Sequence, residues 1–115
     1  MKEITRVFKA VSDPNRLRIL KMLEERPLCV CEITTVLTLA ASTVSKHLSI
    51  LKDAELIIEE KDGKWVNHNL NRQGSNPYIG HLLFLIQNWL RDDSIIQNDT
   101  VAASKADRNR LSKTE

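Results

Sequence analysis

The sequence lacks most of what would assign a chemistry at a glance. Three glycines in 115 residues leave no phosphate-cradling loop. There is no His-Glu-x-x-His run and no set of nucleophile, base and orienting group, so an enzyme is not expected. Aromatic residues are 4% of the chain, too few for an aromatic-rich β-sandwich, which points to an aliphatic, mostly helical core. No apolar run approaches the roughly 20 residues that span a bilayer. The first residues, Met1-Lys2-Glu3-Ile4-Thr5, are charged and amphipathic rather than apolar, so the expectation is a cytoplasmic protein with no membrane partner. The two cysteines, Cys29 and Cys31, cannot build a disulfide framework, and in a reducing compartment both are free thiols.

What is present fits one domain with a real core: 42% of residues are hydrophobic. Net charge is +2, from 17 Lys+Arg against 15 Asp+Glu, so no polybasic mass forces a nucleic-acid reading. The distribution is less even. Residues 2–26 carry seven basic and four acidic side chains, net +3, while residues 27–66 are slightly acidic. A nucleic-acid surface must therefore come from orientation, with basic groups gathered on one face. A solvated mixed-charge surface is the alternative.

Apolar spacing predicts a helix over 3–11, on Ile4, Val7, Phe8 and Val11. Asp13 caps a second helix and Pro14 suits its first turn. Leu17, Ile19, Leu20 and Leu23 form its apolar face, and Pro27 ends it. A short helix follows over 30–37, then a turn at 38–41. Ser42 is expected to cap a helix striped by Val44, Leu48 and Leu51. The period then changes. Residues 56–60 carry the β-branched pair Ile57-Ile58, Asp62-Gly63 signals a type I′ hairpin turn, and 65–70 return. Leu56, Ile58, Val66 and Leu70 are the candidates for the face that packs on the helices. Asn76-Pro77 starts a long helix expected to reach residue 96, striped by Ile79, Leu82, Leu83, Ile86, Trp89 and Leu90. Residues 97–115 read as a polar, loose tail outside a domain spanning 1–96. Helices followed by a two-stranded ribbon and a closing helix make a winged helix-turn-helix, mainly α with a small β-hairpin wing (α+β). The stripe of the last helix is wider than a small domain needs. Together with Ile4 and Phe8, it suggests a homodimer built on the first and last helices.

Four segments in register carry a resemblance. They are Ser12-Asp13-Pro14-Asn15-Arg16-Leu17-Arg18-Ile19-Leu20, Leu28-Cys29-Val30-Cys31-Glu32-Ile33, Ser42-Thr43-Val44-Ser45-Lys46-His47-Leu48 through Leu51, Ala54 and Leu56, and Asp62-Gly63-Lys64-Trp65-Val66. Over about residues 3–95 the chain resembles the ArsR/SmtB repressors. The resemblance implies a homodimeric winged-helix repressor that releases operator DNA, an inverted repeat, on binding a metal ion or metalloid. A helix in the major groove reads bases with side chains near its N-terminus, here Ser42, Thr43, Ser45, Lys46, His47 and Ser49. His47 matches a histidine common in the family's recognition helix, although such a residue can equally be packed and hydrogen-bonded. Lys61, Lys64, Arg16 and Arg18 are candidates for phosphate, with Asp62 opposing the two lysines. Glu55 stands where the family usually has glycine before the wing, and a left-handed backbone suits it poorly.

Soft thiolates at Cys29 and Cys31 select soft acceptors. Zinc and cadmium ordinarily take four ligands, and His47, His68 and His81 have no ligand spacing with the cysteines. Trivalent arsenic takes three, so As(III) or Sb(III) is the expected inducer, with no permanent cofactor. The arsenic sensors that this chain resembles often carry a third cysteine where Thr34 stands, which leaves solvent or an external thiol to complete the shell. On an intact helix, residues two apart point about 200° from each other. Capture by both sulfurs is therefore expected to unwind the first turn near Cys31 and misplace the recognition helix. The helix N-terminus is expected to lower the thiol pKa. Two alternatives stay open: a thiol redox or persulfide sensor, which the strain of so small an oxidised ring disfavours, and a constitutive DNA-binding dimer.

Overall fold

The computed structural model describes residues 1–113. Along them run α1 (Lys2–Val11), α2 (Pro14–Leu23), α3 (Val30–Leu37), α4 (Ala41–Asp53), β1 (Ile57–Asp62), β2 (Trp65–Leu70), α5 (Pro77–Gln87), α6 (Ser94–Lys105) and α7 (Arg108–Lys113). The local signals explain most starts. Asp13 Oδ1 accepts from the N–H groups of Asn15 and Arg16 at 2.8 and 3.2 Å, and Pro14 opens α2 without losing a helical bond. Asn76 does the same for α5, accepting from the Tyr78 N–H at 3.0 Å. The core is aliphatic, as composition predicts. Ile19, Leu20, Leu28, Ile33, Leu51, Leu56, Ile79 and Ile86 are sealed from solvent, each burial stabilising by about 1.5–3 kcal/mol. α3, the turn at 38–40 and α4 form the helix-turn-helix, and the antiparallel hairpin β1-β2 forms the wing. Among the described residues no helix is long and apolar enough to cross a membrane.

The wing differs in detail from its expectation. Asp62 pairs with Trp65, so the loop is Gly63-Lys64, and Gly63 alone has positive φ, at 62°. That is the pattern of a type II′ turn, with glycine at its first central position. Ile57 and its partner Leu70 face inward beside Leu56, whereas Ile58 and Val66 point to solvent. Three apolar residues in a row at 56–58 carry no alternation from which to choose the inner face. α4 is capped by Ala40, without a side-chain bond, and Ser42 lies one residue inside the helix. The expected Ser42 cap is therefore corrected, and its hydroxyl is exposed.

The largest correction is at the C-terminus. The helix expected over 77–96 stops at Gln87, Leu90 turns the chain with φ 65°, and Asp93 caps a new helix by accepting from the N–H groups of Ile95 and Ile96. The buried Lys21 ammonium donates to the carbonyls of Ile86 (2.9 Å) and Gln87 (3.4 Å) at the end of α5, where Ile86 also accepts from the Trp89 N–H at 2.9 Å. α6 then folds back on α2 and α3, burying Ile96, Asp99 and Ala103. Asp99 takes a forked ion pair from Arg18, Nε at 2.8 Å and Nη2 at 2.9 Å. The boundary placed at residue 96 thus falls inside a packed helix, and residues 97–113 are not loose. Residues 114 and 115 of that expected tail lie outside the described residues.

Glu55 takes the left-handed backbone after all, with φ 66°. Asn71 Nδ2 donates to its carbonyl at 2.9 Å and Asn76 Nδ2 to its carboxylate at 3.1 Å, which holds the turn despite the strain. Glycine has no Cβ to strain there. Glu55→Gly should therefore raise stability by about 0.5–1 kcal/mol, after the entropy cost of glycine in the unfolded chain is subtracted. A lowered urea midpoint would show that the Asn76 contact outweighs the strain.

Candidate nucleic-acid interface and thiol site

Around α4, at 100° per residue, Ser42, Thr43, Ser45, Lys46 and Ser49 occupy one exposed arc. Val44, Leu48 and Leu51 are buried on the other side, so packing decides which face the hydroxyls and the lysine present. His47 sits at the edge, half-buried, with Nδ1 3.1 Å from Arg16 Nη1. A guanidinium only donates, so Nδ1 accepts and the neutral ring carries its proton on Nε2. Arg16 also donates to the carbonyls of Ala10 (2.6 Å) and Lys9 (3.3 Å) at the end of α1. The expectation of Arg16 at phosphate is corrected accordingly: it ties α1 and α2 to α4. Arg18 is corrected likewise, its guanidinium being held by Asp99. Lys61 and Lys64 stay exposed at the wing tip, with Lys64 Nζ 4.9 Å from the Trp65 ring centroid.

Cys29 is the N-cap of α3, with extended backbone (φ −87°, ψ 168°), and Cys31 is the second residue of the helix. Because Cys29 lies outside the helix, the 200° separation does not apply. The two Sγ atoms are 2.8 Å apart, both free thiols, Cys29 buried and Cys31 half-exposed. Unwinding of α3 is therefore not required to bring them together. Glu32, three residues after the cap, accepts from the Cys29 N–H at 3.0 Å and from Arg26 Nη2 at 3.1 Å. Burial first, then the bond with Cys31 and the Glu32 charge, together push the Cys29 thiol up to about 12. The expected lowering by the helix N-terminus is thus reversed, since desolvation of a thiolate outweighs the dipole. One helical turn beyond Cys31, the Thr34 hydroxyl is buried with no hydrogen-bond partner. Among the described residues no three of His, Cys, Asp and Glu gather as a metal cluster.

The residue before the cap joins this site to the wing. Leu28 and His68 form an antiparallel bridge: the Leu28 N–H donates to the His68 carbonyl at 3.2 Å, and the His68 N–H donates back at 2.8 Å. The segment entering α3 is therefore fastened to β2. Sequence reading missed Glu32, Arg26, His68 and Arg108 at this site. Glu32 had a signal, the three-residue capping-box spacing after Cys29. The other three depend on pairings across 40 or more residues, or on a carbonyl of α6, and leave no local pattern.

The expected dimer stripe divides in two. Ile79, Leu83 and Ile86 are corrected to the core of this chain, Leu82 is half-buried, and Trp89 and Leu90 are exposed. Tyr78, Phe84 and Leu85 are exposed beside them, as is Phe8 of α1, with Ile4 half-buried. A wide apolar stripe carries both an inner and an outer face, and spacing alone does not say where one ends.

Known proteins share this arrangement. A family model described as "Bacterial regulatory protein, arsR family" matches residues 13–59. The arsenic resistance transcriptional regulator ArsR1 of Pseudomonas putida is 32% identical over 93 residues, covering 77% of this chain and 73% of its own. The arsenical resistance operon repressor of Escherichia coli is 38% identical over 66 residues, so the match spans 56% of either chain. A cadmium resistance regulatory protein CadC homolog of Staphylococcus aureus is 36% identical over 70 residues, 60% of this chain and 58% of that one. In structure, the homodimeric winged helix-turn-helix DNA-binding domain of Mb0332 from Mycobacterium bovis superposes with a TM-score of 0.64 at 26% identity, over 75% of this chain and 76% of that one. With helix-turn-helix, wing and matched sequence in agreement, the chain belongs to the arsR family of bacterial regulatory proteins, winged-helix DNA-binding regulators of transcription rather than enzymes.

Proposed function

We propose that this chain represses transcription by binding double-stranded operator DNA, an inverted repeat, as a homodimer, and that it releases the DNA when As(III) or Sb(III) joins Cys29 to Cys31. The observation that carries this reading is the 2.8 Å approach of the two sulfurs at the start of α3. Two soft donors already side by side suit a soft, three-coordinate centre. Zinc and cadmium prefer four ligands, and the donors around this pair do not supply them. The chemistry balances without free thiolate. Two S–As bonds form, two As–O bonds of arsenous acid break, and each thiol proton leaves with a hydroxide as water. Solvent or a small external thiol keeps the third position, because the Thr34 hydroxyl is a hard donor.

Coupling to DNA follows two routes from the cap. Bonding at Cys29 competes with the hold of Glu32 on the Cys29 N–H, and so shifts α3 against α4. It also pulls on Leu28, which is fastened to β2 of the wing. Such coupling is worth about 1–3 kcal/mol, a 5- to 150-fold change in DNA affinity. A gel shift on the DNA upstream of the chain's own coding sequence tests the reading. Arsenite should free the DNA and hydrogen peroxide should not. Release by peroxide would favour the redox alternative, and release by neither would leave a constitutive binder.

The dimer surface of this reading is the outer face of α5 with Phe8 and Ile4 of α1. Tyr78, Phe84, Leu85, Trp89 and Leu90 put exposed apolar side chains on and just after α5, the kind of patch that marks an interaction surface. Trp89→Glu with Leu85→Glu should give a folded monomer in sedimentation, because neither residue is buried in this chain. Operator affinity should then drop by about a hundredfold or more, since two half-sites no longer bind as one unit. A variant that stays dimeric would move the interface elsewhere.

A further inference from the structure

The C-terminal helices reach the tip of the wing. Arg108, which opens α7, donates from Nη2 to Asp62 Oδ2 at 2.7 Å and from Nη1 to Asn67 Oδ1 at 3.0 Å, and its guanidinium carbon lies 5.3 Å from the Trp65 ring centroid. Asp62 is on β1, and Asn67 and Trp65 are on β2, so one side chain grips both strands beside the Gly63-Lys64 loop. The other end of this arm is held near the thiols. Arg26 Nη2 donates to the carbonyls of Ala103 (2.8 Å) and Ala106 (3.1 Å) and to Glu32, which caps Cys29.

We infer that α7 is a clasp on the DNA-facing wing: Arg108 cancels the charge of Asp62 and fixes the hairpin tip, so that Lys61 and Lys64 meet backbone phosphates as an unopposed cationic pair. This rests on the reading that the wing faces DNA, and the test separates the two. A two-stranded hairpin is barely stable by itself, so a tip gripped from both strands keeps its lysines placed. Asp62 lies between those lysines in sequence and, left bare, would repel the phosphates they attract. The pairing is mutual: Arg108 holds the Asp62 carboxyl below the usual carboxylate range, and Asp62 raises the guanidinium. Arg108 acts here as a positioning residue, through Asp62.

The test uses the full chain and a random-sequence duplex of about 30 base pairs, with affinity read by fluorescence anisotropy across a salt series, because the slope counts phosphates neutralised. Lys61→Ala with Lys64→Ala should flatten the slope by about two per bound wing, and Arg108→Gln by about one. Adding Asp62→Asn to Arg108→Gln should restore the parent slope, a rescue that mere loss of folding would not show. If Arg108→Gln leaves the slope unchanged while the lysine pair flattens it, the clasp is overturned and the wing reading stands. If the lysine pair itself changes nothing, the wing does not face DNA and the clasp falls with it. A weakened Arg108→Gln that Asp62→Asn does not restore overturns the charge-cancelling role, since the loss would then come from the released tip or from a direct contact of Arg108 with phosphate. Should Arg108→Gln fail to fold, Asp62→Asn alone decides: it should steepen the slope by about one by leaving Arg108 unopposed, and an unchanged slope overturns the proposal.

Discussion

Cys29→Ser and Cys31→Ser should each bind operator DNA as the parent does and lose release by arsenite. Serine is a better N-cap than cysteine, so Cys29→Ser should hold or raise the stability of α3. Cys31 is half-exposed within the first turn, and serine there leaves no large cavity. Either variant keeps one sulfur, which makes one soft bond and cannot bridge the cap to the helix. A release of 5- to 150-fold in the parent should fall to about one-fold in both, read as operator affinity with and without arsenite. A variant that still lets go would place the metalloid on other atoms and end the assignment of this pair. The fold contains its own control, because the thiols touch each other but the exposed arc of α4 proposed to read DNA lies on a different helix.

Asp99→Ala should be the most destabilising single change outside the aliphatic core. It leaves Arg18 without its forked partner and uncovers the contact between α2 and α6. Breaking a buried ion pair costs about 3–5 kcal/mol. The Arg18 side chain keeps 25% of its exposure, so water screens part of the loss and about 2–3 kcal/mol is expected. For a chain of this size the melting temperature should fall by about 10 °C or more. Asp99→Asn, which can still accept from the guanidinium, should lose less. An unchanged melt would mean that α6 adds nothing to stability. The same measurement separates a structural arm from a dangling one, and the clasp on the wing requires the former.

These two cases mark what was legible in the residues. Several local patterns could be read: the Asp13-Pro14 and Asn76-Pro77 starts, the short helix over 30–37, the change of period at residue 56, and the return strand, whereas the cap of α4 and the type of the wing turn, equally local, could not. The family register of Cys29, Cys31 and Ser42 to Leu51 could be read for the same reason, as short runs at fixed spacing. The break after Gln87 could not, because Ile86, Trp89, Leu90, Ile95 and Ile96 continue an apolar pattern across it. Asp93-Ser94 was the one available sign, a capping residue inside a presumed helix. Arg16 and Arg18 were misread for a different reason. An arginine bound for phosphate and an arginine bound for a distant carboxylate look alike until the partner, here 81 residues away for Arg18, is in place. The convergence of the thiols was legible in the helix expected over 30–37: Cys29 lies before its first residue, so the 200° separation of an intact helix does not govern the pair.

The bridge between Leu28 and His68 rests on two backbone hydrogen bonds, with the His68 ring Nδ1 a further 3.3 Å from the Leu28 carbonyl, so an ordinary substitution at either position leaves the backbone pair in place. Only proline would break it, by removing a donor. On the proposed reading, this makes the bridge a transmission joint that places little demand on the residues around it. The atoms that grasp a ligand at the start of α3 could then change, and a movement begun there would still be felt at the wing.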